Sequence, residues 1–338
     1  MAKFIKDLDL RESFFNECVF PIMKQYYPNL KFSAGTMTAG SQMLGYDDIV
    51  STDHGWGPSS MIFLNESDIH IRDELQEIMK NKLPLTYKGF GVDRIHSAWI
   101  CTMKEVTDMY IGELPQNDID WLTISEHRLL GLTAGRVFLD MLNIQETRGK
   151  LAFYPHDVKL YLIASQWSII GEEEAFVKRC SQVGDELGSR IVCTRIAERL
   201  MRLCFLYNNK YAPYSKWLGT AFKHLALDNI YDEITAAISA NTIAEREDHI
   251  LNAQILVVEL HNSCNITEPL EIKVWDYGRD AKIISTDNFA DKVREKICNP
   301  ELKKVTLIGS MSQIGNLHRL WDNPELRDNI KQLYLRTE

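Results

Sequence analysis

The most informative stretch of the chain is AGSQMLGYDDIVSTDHGWGP, residues 39–58. An apolar segment precedes it, a Gly-Ser pair opens it, and it continues as a loop rich in Gly and Asp. Successive backbone N–H groups in a turn form an anion-binding concavity, so Gly40 and Ser41 could cradle a triphosphate. Asp53 follows Ser41 by twelve residues (53 − 41 = 12) and is a candidate ligand for Mg²⁺ or Mn²⁺.

Position 55 departs from the pattern that a site with two carboxylates needs. Side chains alternate along a strand, so two carboxylates on one face require Asp-x-Asp, and Gly55 stands two positions after Asp53. Asp47 and Asp48 are candidate replacements, although both also fit an ordinary turn. The next strand-like segment carries no carboxylate, so Asp93 just before it is a third candidate by position alone.

The composition is that of an ordinary globular protein. The chain has 338 residues, enough for two domains, and a net charge of −9 with acidic and basic residues intermixed. A duplex-binding surface needs a basic face, so this balance disfavours a nucleic-acid partner. Charged residues interrupt the N-terminal segment before it can form the apolar stretch of a signal peptide. No run reaches the roughly 20 apolar residues of a membrane span. We therefore expect a cytoplasmic protein without a membrane partner; the sequence does not indicate its oligomeric state.

The seven cysteines are scattered without a CxxC pair, which favours reduced thiols over disulfides or a metal site. There is also no HxxxH, GxSxG or GxxxxGK[ST] pattern, so common hydrolase and P-loop classes are disfavoured.

The predicted secondary structure changes near residue 120 from mixed helices and strands to mainly helices. Before it, the patterns predict a small α/β layer, with helices over 11–27 and 68–80 and strands over 31–39, 61–64 and from His96. After it, the patterns predict long helices over 126–140, 156–182, 186–208, 216–224 and 242–262, with Thr123 and Glu126 as a capping box. A short β-hairpin near 271–285 and a helix over 287–298 follow.

With these elements placed, the chain resembles a bacterial domain-of-unknown-function family whose N-terminal part belongs to the polymerase-beta-like nucleotidyltransferase superfamily. The resemblance is carried by GYDDIVSTDHGWGP (45–58), TAGRVFLD (133–140), YPHDVKLYLIASQW (154–167), VGDELGSRI (183–191) and RLMRLCFLYNNKYAPYSKWLGTAF (199–222). It implies an α+β fold similar to that of aminoglycoside nucleotidyltransferases. A nucleotidyltransferase-like domain with a mixed β-sheet would span residues 1–122, and a larger, mainly helical domain would span 123–338. Residues 40–58 would lie in the cleft between them.

The resemblance also implies roles for single residues. Gly40 and Ser41 match the superfamily's Gly-Ser signature, and Asp53 matches its first metal-binding aspartate. Asp53 and Asp48 are therefore the catalytic candidates, and Asp47 joins them as a candidate metal ligand.

Three residues of the helical half are further candidates for nucleotide binding. Lys216 could reach a triphosphate, although the segment around it also fits a rigid corner in which Ser215 caps a helix. Ser189 and Arg190 could form part of an anion site, but Arg190 also fits a solvated stripe on one helix face, paired with acids such as Glu186.

Three functions remain compatible with the sequence. The first is an enzyme that transfers a nucleoside monophosphate from an NTP to a small-molecule acceptor, with Mg²⁺ or Mn²⁺ as cofactor. The second is a catalytically impaired nucleotide-binding pseudoenzyme, and the third is an interaction protein that retains the fold. Two missing carboxylates out of three weaken the first, because a two-metal clamp needs ligands on both cations.

Overall fold

The computed structural model describes residues 3–37, 40–53, 55–278, 280–315 and 323–335. The chain divides into two compact units. The first comprises Met1–Leu114 and His127–Ala152, and the second comprises Pro115–Glu126 and Phe153–Glu338. The chain thus leaves the first unit, returns to it and leaves again, whereas the sequence predicted a single boundary between residues 122 and 123.

The helices of the described residues are α1 (Asp7–Phe14), α2 (Phe20–Tyr26), α3 (Arg72–Lys82), α4 (Met103–Ile111), α5 (Asp118–Leu122), α6 (Glu126–Thr133), α7 (Ile144–Lys150), α8 (His156–Glu173), α9 (Phe176–Gln182), α10 (Glu186–Tyr207), α11 (Ser215–Lys223), α12 (Asp228–Ser239), α13 (Ile243–Ser263), α14 (Thr286–Glu295), α15 (Pro300–Lys304), α16 (Met311–Ile314) and α17 (Arg327–Leu335). The strands are β1 (Ser33–Thr36), β2 (Ser60–Phe63), β3 (Thr86–Tyr87), β4 (Phe90–Gly91), β5 (Ala98–Cys101), β6 (Arg136–Asp140), β7 (Trp275–Asp276) and β8 (Lys282–Ile283). The predicted α+β fold class is confirmed.

The first unit is built on a mixed sheet, which in the described residues has the strand order β5-β2-β1-β6. Strand β1 is antiparallel to both its neighbours, and β2 is parallel to β5. The central strands β1 and β2 are buried along their whole length. Apolar side chains of α1, α2 and α3, among them Phe14, Met23 and Leu75, belong to the same core. Full burial of such a side chain contributes about 1.5–3 kcal/mol to the stability of the fold. This core therefore stabilises the sheet, and the loop that follows β1 starts from it.

The predicted N-terminal helix is confirmed, but it is interrupted in its middle by a turn of π-helix. A π-helical turn, Phe15–Val19, joins α1 to α2. Pro21 follows in the first turn of α2. Because proline has no N–H to donate, it fits the first turn of a new helical segment better than the interior of a continuous helix.

Strand β6 corrects the helix predicted over residues 126–140. Helix α6 stops at Thr133, and Gly135 follows with φ +79°, the left-handed conformation that ends many helices. Residues 136–140 then pair antiparallel with β1. A Cβ on Gly135 would lie 2.0 Å from the Thr36 carbonyl oxygen, so glycine is needed for this close approach.

The capping box predicted from Thr123 and Glu126 is wrong, because α6 begins at Glu126 itself. The buried Glu126 carboxylate instead accepts a hydrogen bond from the Ala212 N–H (3.0 Å) and lies 3.4 Å from the Arg202 guanidinium. Burial raises the pKa of Glu126, and the nearby Arg202 opposes that rise. The residue therefore stabilises the interior of the second unit rather than a helix end.

The second unit is mainly helical, with α8 at its centre. Residues 160–167 of α8 are all buried, as expected of a helix surrounded by other helices. Helix α14 packs along it, and the rings of Trp167 and Phe289 meet edge to face at 5.6 Å between centroids. The long helices predicted after residue 156 are confirmed. The segment predicted as one helix over 156–182 is two helices, α8 and α9, and helix α12 was not predicted. The predicted hairpin is confirmed as β7 paired antiparallel with β8.

All seven cysteines are free thiols, as expected. Burial raises the pKa of Cys101 to about 12 and that of Cys193 to about 11, so neither thiol is a reactive nucleophile. No helix in the described part of the chain is long and apolar enough to cross a membrane.

Candidate functional site

The loop that leaves β1 contains a tight turn at the Gly-Ser pair. The Gly40 carbonyl accepts hydrogen bonds from the N–H groups of Met43 (3.1 Å) and Leu44 (3.3 Å), and the Ser41 carbonyl accepts one from Tyr46 (2.9 Å). The two bonds to the Gly40 carbonyl are those of a single helical turn, although no helix continues from it. The leading N–H groups of such a turn have no partner inside the turn. Such N–H groups attract anions. The turn therefore has a backbone arrangement suited to a phosphate.

Gln42 connects this turn to the far end of the loop. Its side chain is only 8% exposed, and its Nε2 donates a hydrogen bond to the Gly55 carbonyl at 2.9 Å. Its Oε1 accepts a longer hydrogen bond from the Ser41 hydroxyl at 3.4 Å. One buried amide thus joins the two ends of the loop.

Helix α1 holds the same end of the loop through an ion pair. Arg11 Nη2 donates to the Gly55 carbonyl (2.6 Å), and Arg11 Nε donates to an Asp7 carboxylate oxygen (2.6 Å). The other Asp7 oxygen accepts from the Gly57 N–H (2.8 Å). Asp7 is fully buried, and burial raises the pKa of its carboxyl although Arg11 opposes that rise. Removing one partner of such a pair leaves a buried charge, which typically costs about 3–5 kcal/mol.

The contacts of α1 with the loop were missed by the sequence analysis. Asp7 and Arg11 are four residues apart on one helix, and this spacing alone indicates an ion pair. The chain pattern does not show that the pair faces Gly55, 44 residues away from Arg11.

Asp47 is buried and contacts the beginning of α1. Its Oδ2 accepts a hydrogen bond from the Asp7 N–H (2.8 Å), and its Oδ1 lies 3.2 Å from Lys6 Nζ. A carboxylate at this place satisfies a free N–H of the first turn and interacts favourably with the helix dipole. These contacts give Asp47 a structural role, and they do not support its predicted role as a metal ligand.

Asp48 and Asp53 belong to the same loop region. Asp48 is exposed, and its Oδ1 accepts from the Val50 N–H at 2.9 Å, which is an Asx turn. Asp53 ends a short 3₁₀ helix, Val50–Asp53, and its side chain lies outside the described part of the structure. Its expected position beside Ser41 therefore stays a prediction. Among the described residues, no three His, Cys, Asp or Glu side chains come together as a metal site.

Asp93 is engaged in a local turn before β5. Its Oδ2 lies 2.7 Å from His96 Nδ1, and its Oδ1 accepts from the Ile95 N–H at 3.0 Å. The hydrogen bond with His96 lowers the pKa of this exposed carboxyl. These contacts account for Asp93 without a bound cation.

Ser189 and Arg190 have partners inside the second unit. The buried Ser189 hydroxyl donates to the Val177 carbonyl (2.7 Å) and accepts from Arg246 Nη1 (2.9 Å). Arg190 Nε donates to Glu186 at 2.9 Å, four residues earlier on α10. Arg190 thus has the ion-pair partner expected of a helix-surface stripe, and Ser189 is an interior residue.

Lys216 lies in the first turn of α11, in the second unit. Its Nζ is 5.1 Å from the centre of the Trp217 ring, a cation–π contact that leaves the ammonium exposed. The helix begins at Ser215, so Ser215 is not its N-cap as predicted. Tyr211 is buried against Tyr154, with ring centroids 5.0 Å apart, which agrees with the rigid corner. A joint role of Lys216 with the Gly-Ser turn stays a prediction.

Comparisons with known proteins give one family match and one similar structure. Residues 121–218 match the model of a family described as a domain of unknown function, DUF4037. The domain-of-unknown-function part of the resemblance is thereby confirmed for these residues, which belong mostly to the second unit. No curated protein matches the chain.

The chain is also similar to the crystal structure of a nucleotidyltransferase-like protein from Exiguobacterium sibiricum 255-15. The two sequences are 11% identical, the match covers 79% of this chain and 82% of that chain, and the TM-score is 0.35. A likeness this distant does not establish an activity, so any nucleotidyltransferase function of this chain is a proposal.

Proposed function

We propose that the chain is a nucleotide-binding protein of the nucleotidyltransferase-like kind, in which the turn at Gly40 and Ser41 binds the triphosphate of an NTP. The observation that supports this most is the hydrogen bonding of the turn, in which the Gly40 carbonyl accepts from Met43 and Leu44. The leading N–H groups of a helical turn have no partner inside the turn, so an anion can accept hydrogen bonds from them. The Gly-Ser sequence and the following aspartates, which resemble the superfamily motif, support the same conclusion.

The described donor set does not fit a two-cation site for Mg²⁺ or Mn²⁺. Both cations prefer oxygen ligands, and Mg²⁺ is usually bound by one or two carboxylates completed by phosphate and water. Asp47 is occupied by Lys6 and the start of α1, and position 55 has no side chain. Asp53 and the exposed Asp48 remain as proposed ligands for a single cation. We therefore propose nucleotide binding with transfer impaired, rather than transfer of a nucleoside monophosphate to a small-molecule acceptor.

The first test places a negative charge where the triphosphate would bind. Each of ATP, GTP, CTP and UTP is titrated into the protein by calorimetry, and melting temperature is recorded in parallel, since a ligand that binds the native state raises it. Ser41→Asp should weaken NTP binding by at least about tenfold, or about 1.4 kcal/mol. Ile49→Asp is the matched control, because it adds the same charge to a side chain of the same loop that is 73% exposed.

Four outcomes separate the hypotheses. Loss of binding in Ser41→Asp with retention in Ile49→Asp supports the nucleotide site. Equal affinities in both variants would show that the triphosphate does not bind at this turn. No NTP binding by the unmodified protein would contradict the proposed function and favour an interaction protein. Release of pyrophosphate when a panel of small hydroxyl and amine acceptors is added would show that transfer is intact.

The cation is tested separately with Asp53→Asn. This substitution removes one ligand charge and little volume, so it should abolish the part of NTP stabilisation that depends on Mg²⁺. Asp48→Asn makes the same change at the second proposed ligand and shows whether Asp48 shares the cation. If Mg²⁺ dependence is unchanged in both variants, neither aspartate binds the cation.

A further inference from the structure

An exposed row of apolar side chains follows helix α10 in the second unit. Val183 lies in the turn between α9 and α10, and Leu187 and Ile191 follow it at intervals of four residues. Their exposed fractions are 82%, 69% and 47%. Residues four apart are neighbours on one side of a helix, so Leu187 and Ile191 share a face that points to solvent. We call Val183, Leu187 and Ile191 the α10 apolar face.

The apolar surface continues onto α9. Phe176 is exposed and lies seven residues, or about two helical turns, before Val183. Phe176 and Val183 line one open cavity of about 450 Å³, together with Arg179, Cys180 and Gln182. Exposed apolar side chains that occur singly are ordinary, whereas a contiguous group marks a surface that binds another protein. The charged residues beside the group indicate which protein that is.

The charges at the two ends of the α10 apolar face have opposite signs. Asp185, in the turn before α10, is exposed, and its Oδ1 accepts a hydrogen bond from the Gly188 N–H at 2.7 Å. Arg195 continues the row four residues after Ile191, and 51% of its side chain is exposed although its Nε donates to Glu173 Oε2 at 3.1 Å. A guanidinium has five N–H donors, so Arg195 can also donate to a second carboxylate.

We propose that the α10 apolar face binds the same face of a second copy of the chain, with the two α10 helices antiparallel about a two-fold axis. When the pairing is centred between Leu187 and Ile191, Leu187 of each copy packs on Ile191 of the other. Arg195 of each copy then lies beside the turn that carries Asp185 in the other. A two-fold interface must be complementary to itself, and this one joins apolar side chains at its centre and opposite charges at both ends. The inference goes beyond the proposed nucleotide function and does not depend on it.

The mass of the full chain in solution tests the proposal. Sedimentation velocity is recorded from about 1 to 100 μM protein, and the mass should rise with concentration from that of the 39.0 kDa monomer toward twice that value. Leu187→Glu should raise the dissociation constant of the dimer at least about tenfold, because the two-fold axis brings the new charge into the interface twice. Leu85→Glu is the matched control, since Leu85 is 68% exposed and belongs to the first unit.

A charge exchange tests the antiparallel arrangement. Asp185→Lys would place like charges beside Arg195 of the other copy and should weaken the dimer about threefold or more. Adding Arg195→Glu makes the charges opposite again, and the double variant should return to within about twofold of the unmodified protein. Because Asp185 also caps α10 and Arg195 also contacts Glu173, the melting temperature of every variant is recorded.

Three results would overturn the proposal. A monomer at every concentration would show that a second copy does not cover the α10 apolar face, and that a different protein would have to do so. A dimer of equal strength in Leu187→Glu and Leu85→Glu would use another surface. A dimer that Asp185→Lys does not weaken, or that the added Arg195→Glu does not restore, would lack the antiparallel contact. The measurements contain no nucleotide, so failure of NTP binding contradicts only the proposed nucleotide function.

Discussion

A chain of hydrogen bonds, buried at Trp167, Tyr207 and His261, favours the neutral form of His261 in the second unit. Trp167 Nε1 donates to the Tyr207 hydroxyl oxygen (2.9 Å), and the Tyr207 hydroxyl lies 3.1 Å from His261 Nδ1. On the other side, His261 Nε2 lies 2.9 Å from Thr267 Oγ1, whose proton is donated to the Glu268 carbonyl (2.7 Å). Thr267 must therefore accept from Nε2–H, and Nδ1 accepts from Tyr207. The neutral ring satisfies every group in this chain, whereas a second ring proton, on Nδ1, would take from the Tyr207 hydroxyl the acceptor of its own proton.

The stability of the protein should accordingly fall in acid. Burial lowers the pKa of His261 from 6.5 to about 4, so between these values the unfolded chain binds more protons than the folded one. The stability contributed by the neutral ring is complete above pH 6.5 and is lost as the pH falls toward 4. His261→Gln keeps one donor and one acceptor but does not titrate. The advantage of the unmodified protein over this variant should shrink by about 2 kcal/mol between pH 7 and pH 5.

Urea unfolding at the two pH values measures this difference. Glu174, whose pKa burial raises to about 7, contributes a trend of opposite sign, but it titrates in both proteins and cancels in the comparison. His249→Gln is the control, since His249 is partly exposed and pairs with Glu233. An advantage over His261→Gln that does not change with pH would show that His261 does not titrate as its burial indicates.

At the scale of elements, the strand β6 shows where a sequence pattern misleads. The segment of residues 126–140 has the apolar spacing of a helix, and the true signal of a break is the single Gly135. The strand is stabilised by contacts with residues distant in sequence. It pairs with β1, and Arg136 forms ion pairs with Asp9 (3.0 Å) and Glu12 (2.5 Å) on α1. Long helices such as α10 and α13 were predicted well because their apolar spacing repeats over many turns.

Gly135→Ala should therefore destabilise the protein by at least about 2 kcal/mol. The new methyl group would combine a left-handed φ of +79° with a 2.0 Å approach to the Thr36 backbone, which cannot move aside without breaking the β1–β6 pairing. Gly149→Ala, in α7 with nothing within 4 Å of its Cβ position, should instead stabilise by about 0.5–1 kcal/mol. Denaturant unfolding of both variants measures the difference, and equal effects would show that Gly135 is not required for β6.

At the scale of the whole molecule, the sequence identified the loop at residues 40–58 but not the contacts that hold it in place. The Gly-Ser turn and the aspartates are local patterns, readable from neighbouring residues. The hydrogen bonds of Gln42, Arg11 and Asp7 with the far end of the loop join residues up to 50 positions apart. No periodicity records such contacts, so the sequence did not show that the Gly55 carbonyl accepts hydrogen bonds from Gln42 and Arg11.

The division into two units leads to a prediction about fragments. A fragment of residues 1–122 would lack β6, which pairs with the central strand β1, and would end with α5, whose residues belong to the second unit. A fragment of residues 1–152 contains every segment of the first unit. Loss of an edge strand exposes one side of β1, which is buried along its length, so the shorter fragment should not fold cooperatively. Thermal unfolding followed by circular dichroism should show a sigmoidal transition for 1–152 and none for 1–122. A cooperative transition of 1–122 at the same temperature would mean that the first unit folds without β6, and that the boundary at residue 122 is adequate.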